Sequence, residues 1–558
     1  MVTHHEHIVF GIDLGTTYSC IAYVDKTGQP IIIPDEDNHH TVPSVVQFEG
    51  DKRVVGRDAK SSAVLNPRDV KPLIKRDMGH RVYRFPWNGE NYPPEEISAY
   101  ILRKLANQAQ KRLGFPVKNV VITCPAYFGI AQRDATRIAG ELAGLNVLTV
   151  INEPSAAAIA YGMLNQGNDQ VVLVFDLGGG TFDVTVIKIS EGTITVIATG
   201  GDHHLGGYDW DAEIVKYLVE QWREEKHSLD DPTESEETLQ DTLNRVEEAK
   251  IRLTRLNETK IAFYHEGLRL SVTLTRKKFD ELTEHLLLSA MNYTEMTIRE
   301  AKKRGIEKID QILLVGGAAK MPQIAERLEQ LYQIKPQLYE PDEAVARGAA
   351  IYGQKLYLDE EIDKKIHLES LSVTGVPYDE IDISKLPTAK LTSIYQRVAN
   401  DANMPWLVVQ RWHRLQLTNV ASHSFGVVVI EKETGHRYIN NLVLANDRLP
   451  ATRTKTYRAA DNPEIELKIY ENDKPFERVE GIEAGREIEC IRLSLPPGVP
   501  NDARLEVTFH LNEQGLLHVT GRELVKGKQV EAEIKTEGSL SKQEIEEAKA
   551  RMSHLIIL

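Results

Sequence analysis

The sequence predicts two fold classes in one chain, a duplicated α/β domain over residues 1–356 and an all-β sandwich over 421–537. Three observations predict it. Residues 8–24 (IVFGIDLGTTYSCIAYV) and 171–189 (VVLVFDLGGGTFDVTVIKI) share one pattern: an apolar run, Asp-Leu-Gly, a small-residue turn, then an alternating strand. Residues 151–162 (INEPSAAAIAYG) and 339–353 (YEPDEAVARGAAIYG) share Glu-Pro followed by a small-residue helix. Each pair keeps the same order along the chain, which is the mark of an internal repeat. From 424 to 537 the chain is almost wholly short alternating strands with turn residues between them, the pattern of a sandwich.

Composition sets the outer bounds. A chain of 558 residues exceeds what one core accommodates, so several domains are expected. Its 67 basic and 82 acidic side chains give a net charge of −15, which argues against general nucleic-acid binding. A 41% hydrophobic fraction with 27% charged residues fits globular protein rather than disorder. No apolar run approaches the roughly 18 residues that span a bilayer, so no membrane segment is expected. The opening MVTHHEHIVFGIDLG runs straight into a strand, and His4, His5 and His7 read as a solvated leader. Cys20, Cys124 and Cys490 are far apart and odd in number, which predicts a reduced, cytoplasmic protein.

The elements follow in order. Each Asp-Leu-Gly segment reads as a β-hairpin whose tight turn presents backbone N–H groups. The strands VVIT (120–123) and ILLVGG (312–317) precede the two small-residue helices, where Pro is expected at the first helical position. Residues 233–256 form the clearest helix, with Leu239, Leu243, Val246, Leu253 and Leu256 at helical spacing. Glu247, Lys250 and Thr254 share another stripe of it. Residues 357–413 read as polar and irregular, broken by Pro377, Pro387 and Pro405 and carrying Trp406 and Trp412. A linker is expected at 414–420, followed by sandwich strands with turns at 496–498 and 512–515. Residues 538–558 read as a short helix capped by Ser539 or Ser541, with Glu544 at capping-box spacing from Ser541.

The hairpin turns carry the chemistry. A turn of Gly and Thr lets main-chain N–H groups close on phosphate oxygens. Asp13, Asp176 and Asp183 stand beside these turns, where a carboxylate repels phosphate but can hold hydrated Mg²⁺ against it. Alone, one such turn reads as a hairpin with an Asx-turn. Two at duplicated positions, one continuing Gly-Gly-Gly-Thr-Phe-Asp, point to ATP. HLGGYDWD (204–211) and LVGGAAKMP (314–322) add two Gly-Gly turns that lead into helices, sites suited to anions.

By these motifs, residues 8–356 resemble the nucleotide-binding domain of the seventy-kilodalton heat-shock chaperones of the DnaK type, within the actin–hexokinase superfamily. GIDLGTTYS, VITCPAYF, NEPSAAAIAYG, DLGGGTFDV, GDHHLGG, ILLVGG and EPDEAVARGAA occur in the family's order. LEVTFHLNEQGLLHVTG extends the likeness to the family's peptide-binding β-domain. The resemblance implies an actin-like (ribonuclease H-like) ATPase domain plus a β-sandwich, and an ATP-dependent chaperone that couples slow hydrolysis to binding of extended or unfolded polypeptide. It implies that Gly15, Thr16, Thr17 and Tyr18 cradle the phosphates from one side and Gly178, Gly179, Gly180 and Thr181 from the other. Lys75 would reach the transferred phosphate and Glu153 would orient the attacking water. Asp13 and Asp176 would hold Mg²⁺, with Asp183 positioning water. Gly206, Gly207, Glu247, Lys250, Thr254, Gly316, Gly317, Ala318, Lys320 and Asp342 would line the rest of the ATP/ADP site, and K⁺ is a further candidate cation. Val427, Ile430, Tyr457, Ile465 and Leu467 would fall at or near the peptide cleft. The implied partners are polypeptide clients, a J-domain co-chaperone and a nucleotide exchange factor, with no nucleic acid and no membrane.

The departures from that pattern set further expectations. Gly129-Ile130 replaces the family's usual Asn-Asp, Thr149 stands where bacterial relatives carry Arg, and Ile251 replaces a basic residue. The linker reads Leu415-Gln416-Leu417-Thr418-Asn419 rather than a leucine run ending in Asp, so weak docking and weak coupling are expected unless Trp406 or Trp412 supplies contact. Residues 357–413 are an insertion relative to the family, and its helical lid is absent, so fast peptide release is expected. The competing function is an ATP-switched regulator, co-chaperone or scaffold without folding activity; a small-molecule kinase fits least, because the β-domain has no place there.

Overall fold

A computed structural model describes residues 7–164, 169–190, 192–227, 229–373, 387–431, 433–458, 464–494, 503–527, 529–533 and 540–558. Two six-stranded sheets dominate the first part, and five strands of each follow one order. One runs Asn146–Asn152, Asn119–Cys124, Val9–Asp13, Tyr18–Val24 and Pro30–Ile32. The other runs Gln337–Leu338, Gln311–Val315, Gln170–Leu177, Phe182–Ser190 and Thr193–Asp202. In both, parallel strands lie on one side of the lead strand and antiparallel strands on the other. The repeat in the motifs is therefore a repeat of sheet topology.

Two helices, Glu153–Leu164 and Ala344–Val373, cross between the halves. A methyl group on Gly348 would lie 1.7 Å from the Ala156 carbonyl oxygen, and one on Gly11 would lie 2.1 Å from the Ala350 nitrogen. Backbones this close admit only small residues, which is why both segments are rich in Ala and Gly. The second Glu-Pro departs from expectation. Its helix starts only at Ala344, and the Pro341 carbonyl instead accepts a bond from Gly316 N at 2.9 Å. The expected helix at 233–256 is present as Glu236–Leu253, capped by Ser235.

The described residues between 357 and 413 are largely helical where irregular chain was expected. Ala344–Val373 runs through 356 without a break, and Thr388–Ala402 and Trp406–His413 follow. Pro387 and Pro405 sit at the N-caps of the two later helices, so they start helices rather than prevent them. Ile394, Tyr395, Val398, Val409 and the 1%-exposed Trp412 bury one face against Val24 and Ile32 of the first half and Ile189, Ile194 and Val196 of the second. Trp406 is partly buried beside them. Pro377, like His4 and His5, lies outside the described residues.

The expectation of a poorly docking linker is overturned. Gln416–Thr418 forms the sixth strand of the second sheet, parallel to Thr193–Thr195, and Gln416 N donates to Gly192 O at 3.0 Å. An edge strand is held by its backbone, which Gln and Thr supply as well as Leu. Leu415, buried beside Trp412, anchors its start.

The β-rich region packs a five-stranded sheet on a four-stranded one around Phe425, Val427, Ile469, Ile491, Val507 and Phe509. Arg437–Val443, Ala451–Arg458 and Arg478–Glu480 are strands that the sequence reading did not name. The turn at Asn512–Gly515 is present, with Gly515 at φ +81°, while 496–498 lies outside the described residues. Ile130 of the first half completes this core, so the sandwich is seated on the α/β part. The helix Lys542–Ser553 carries the expected Ser541–Glu544 capping box, and Ser539 lies outside the described residues. It packs on the first half, where Ala548 and Met552 join the core of Phe10, Ile97 and Ile101. Ile556–Ile557 then pairs in parallel with Lys52–Val55. Among the described residues no helix is long and apolar enough to cross a membrane.

Candidate functional site

The two glycine-rich turns meet face to face between the halves. A methyl group on Gly179 would lie 2.1 Å from the Thr17 hydroxyl, and one on Gly180 would lie 2.3 Å from the Thr16 methyl. Gly206 presses on the Gly180 backbone at 2.5 Å by the same measure. Gly207 N donates to Gly178 O at 2.9 Å and Tyr208 N to Gly179 O at 2.8 Å. Gly15 is equally confined, since a methyl group there would reach the Tyr18 carbonyl at 2.0 Å. Glycine at these positions is a requirement of packing. Gly316, at φ +84°, lies against Leu177 O and the Asp176 carboxylate.

Below the turns is a buried charge cluster. Lys75, in a short 3₁₀ turn after Leu73, pairs with Glu153 at 2.5 Å, and the two are 4% and 7% exposed. Asp13 ends the lead strand of the first sheet and accepts a bond from Thr123 Oγ1 at 3.2 Å. Asp176 and Asp183 face each other across the second hairpin. Burial, then the Glu153 charge, pushes Asp13 up to about 7 and Asp183 up to about 8. The same two causes hold Asp176 well above the usual carboxylate range. One lysine thus faces four acidic side chains, a hard-oxygen set that a divalent cation would relieve. Among the described residues no three such groups converge as direct ligands. Thr181 is buried at the end of the second turn, and its carbonyl accepts from Gly178 N at 3.0 Å.

The outer wall is a network of ion pairs. Glu247 pairs with Lys60 and accepts from the Tyr18 hydroxyl at 3.3 Å. Lys60 also donates to that hydroxyl at 3.0 Å. Lys250 bonds Asp211 at 2.7 Å and Gly207 O at 2.8 Å, and burial holds Asp211 at about 6 against the pull of Lys250. Lys320 pairs with Asp342, beside Gly317 and Ala318 in a 3₁₀ turn. Thr254, by contrast, caps the end of its helix, with its hydroxyl turned back to Ile251 O at 2.7 Å. The sequence reading missed Lys60, Asp211 and Arg76. Arg76 bonds Gly180 O at 3.0 Å and Asp209 at 2.5 Å, tying the second turn to the first turn of the helix Gly207–Lys226. Adjacency to Lys75 was the one available signal for Arg76, and nothing local marks Lys60.

The five candidate peptide residues do not share one open face. Val427 and Leu467 are buried in the sandwich core, whereas Ile430 is 57% exposed. Tyr457 and Ile465 are partly buried against that core, and the Tyr457 hydroxyl donates to Asn440 Oδ1 at 2.7 Å.

A family model described as Hsp70 protein matches residues 9–86, 80–373 and 407–555, leaving 374–406 between matched segments. Chaperone protein DnaK of Deinococcus deserti is 34% identical over 569 residues, covering 96% of this chain and 80% of its own length. The DnaK of Thermotoga maritima is 33% identical over 551 residues (97% and 82%), and that of Thermosipho africanus is 34% identical over 556 (98% and 82%).

Proposed function

The chain belongs to the Hsp70 family, and from that premise we propose how its cleft and its sandwich divide the work of an ATP-dependent chaperone. The observation that carries the reading is the meeting of the two glycine turns over the Lys75–Glu153 pair. Gly15–Tyr18 and Gly178–Thr181 offer main-chain donors to the phosphates from opposite halves. Lys75 stabilises the charge that develops on the transferred phosphoryl group, and Glu153 orients the attacking water. Asp13 and Asp176 hold hydrated Mg²⁺, which supplies charge neutralisation on the phosphates. Asp183 orders water beside it, and Thr181 fixes the turn. Catalysis of this kind rests on positioning and preorganised charge.

Tyr18, Glu247, Lys250, Gly317, Ala318 and Lys320 border the nucleoside, with Lys60 and Asp342 closing the wall. An extended polypeptide is the client, held through backbone hydrogen bonds beside Ile430 and Ile465. A J-domain co-chaperone and an exchange factor are the partners this role calls for, K⁺ is a second cation for the phosphate site, and the three free cysteines suit a reducing cytoplasm. The test is ATP turnover by the full chain with and without an apolar extended peptide. Slow basal hydrolysis stimulated by peptide is expected; turnover indifferent to peptide would sink the client reading.

A further inference from the structure

The strand Glu464–Asn472 ends where the sandwich touches the α/β part. There the Glu471 carboxylate accepts from Ile130 N at 3.3 Å and lies against Gly129, where a methyl group would come within 2.6 Å of it. Gly129-Ile130 is thus the receptor for a sandwich carboxylate. Two residues on, the Asp473 carboxylate lies beside Tyr127, where its charge acts on the tyrosine hydroxyl. The Tyr127 ring is gripped by two imidazoles, His203 at 4.7 Å and His423 at 5.0 Å between ring centroids. His423 reaches Asp473 through Nε2 at 3.2 Å and Glu471 through Nδ1 at 3.7 Å. On its other side, the Tyr127 main-chain N–H donates to Asp183 Oδ1 at 3.2 Å. One tyrosine therefore links the sandwich to a carboxylate of the cleft.

We propose that His423 and Asp473 are positioning residues for ATP hydrolysis: protonated His423 bridges Glu471 and Asp473, Asp473 fixes Tyr127, and Tyr127 fixes Asp183. The proposal deepens the ATPase reading of the cleft and rests on it. Its basis is charge geometry. With His423 neutral, the buried Glu471 and its neighbour Asp473 would share the joint with Arg133 as the nearby cation. With His423 cationic, both are paired. The neighbourhood as a whole allows this form. Glu471 and Asp473 favour the cation, while burial and Arg133 oppose it, and the balance lies above the ordinary histidine value. From the α/β side come Asp202, His204 and Tyr293, with the Tyr293 hydroxyl on Asp202 at 3.2 Å. His203 answers His423 by staying neutral: burial first, then the neighbouring His423 charge, holds it down at about 4. Stability of the clasp is present at low pH and is lost as pH rises through the raised folded value of His423.

The experiment compares the full chain with its H423Q and D473N variants. Gln keeps the size and a donor but not the charge. Turnover by H423Q is expected to fall roughly three- to tenfold at pH 6.5, the size of one net hydrogen bond, with KM for ATP unchanged. That deficit should shrink as pH rises through the raised value of the native His423, above which its imidazole is also neutral. The same deficit at every pH, or none at any, overturns the proposal. NMR titration of His423 in the full chain gives a second measurement that does not depend on turnover. An apparent value above 6.5 that drops in D473N is expected, and a value at or below 6.5 overturns the clasp. If the native chain hydrolyses no ATP, the reading of the cleft fails, while the titration still judges the clasp on its own.

Discussion

The cleft and the joint between the domains are built from different materials. In the cleft, short contiguous motifs do the work: Asp13–Tyr18, Asp176–Asp183 and Gly206–Gly207 bring backbone within contact of backbone, and only Gly and Thr fit. At the joint, the contacts are edge pairing by Gln416–Thr418 and Ile556–Ile557, helix faces, and carboxylates on main-chain N–H groups. A ligand site restricts residue type position by position. An edge strand restricts it hardly at all, because any residue offers the same N–H and C=O.

The largest expected effect breaks the cleft alone. Lys75→Ala removes the one buried cation among Asp13, Glu153, Asp176 and Asp183. Losing one preorganised charge of this kind costs about 10²–10³ in turnover. Nucleotide binding, carried by the two turns and the outer wall, should persist, as titration calorimetry would show. Equal loss of binding and turnover would contradict the role given to Lys75.

Next comes the packing under the linker. Trp412→Ala deletes a side chain only 1% exposed in the core that joins both halves, and such truncations cost about 3–5 kcal/mol. If edge pairing alone holds the linker, hydrogen exchange at the Gln416 N–H, which bonds Gly192 O, will stay slow in the variant. Fast exchange there, with the strand Thr193–Asp202 still protected, would show that helical packing holds the linker and would narrow the contrast drawn above.

Much of the fold was legible because the repeat constrains it twice. The lead strands, their hairpins and the small-residue helices follow from patterns that recur in both halves; Asp13, Glu153, Asp176 and Asp183 sit inside those patterns, whereas Lys75, Glu247 and Lys250 were pointed to only by the family resemblance. What escaped has physical reasons. Prolines at 387 and 405 look like breaks but serve as N-caps, so helices were read as irregular chain. The polar linker looked unfit to dock because docking was judged by side chains. Lys60 and Asp211 pair with residues nearly 200 and about 40 positions away, and no local period reports a contact at such range. The exchange of Asn-Asp for Gly-Ile at 129–130 made sense only once Glu471 was found against it.

A smaller effect tests the C-terminal seat. Arg551 forks onto Glu96 at 2.5 and 3.1 Å, and Glu96 is fully buried. Arg551→Ala leaves that carboxylate with the Tyr100 hydroxyl at 2.7 Å as its remaining bond. A loss of about 1–3 kcal/mol is expected, since the arginine itself is partly exposed. Chemical denaturation measures it. An unchanged midpoint would mean the segment 540–558 lies on the first half without being held there by this pair.

The smallest effect separates burial from pairing at the same seat. Glu95 is 3% exposed beside Glu96, near Arg84 and Glu544, and burial pushes it up to about 7. Arg84 pulls it down, but it spends its own ion pair on Glu544 at 2.8 Å. The sign follows from linkage. A carboxyl whose folded value exceeds its unfolded value of about 4.5 binds a proton more tightly when folded. It therefore favours the fold at low pH, and that advantage is lost as pH rises from about 4.5 through about 7. Glu95→Gln removes the titration without changing size. The variant should match the native chain below about pH 4.5 and exceed it in melting temperature by a few degrees at pH 8, the shift a change of about 1 kcal/mol gives. A native chain more stable than the variant at pH 8 would mean that Glu95 is ionised and paired in the fold. The C-terminal seat would then resemble the Lys75 cluster, where charge is held by charge, rather than a joint held by backbone and packing.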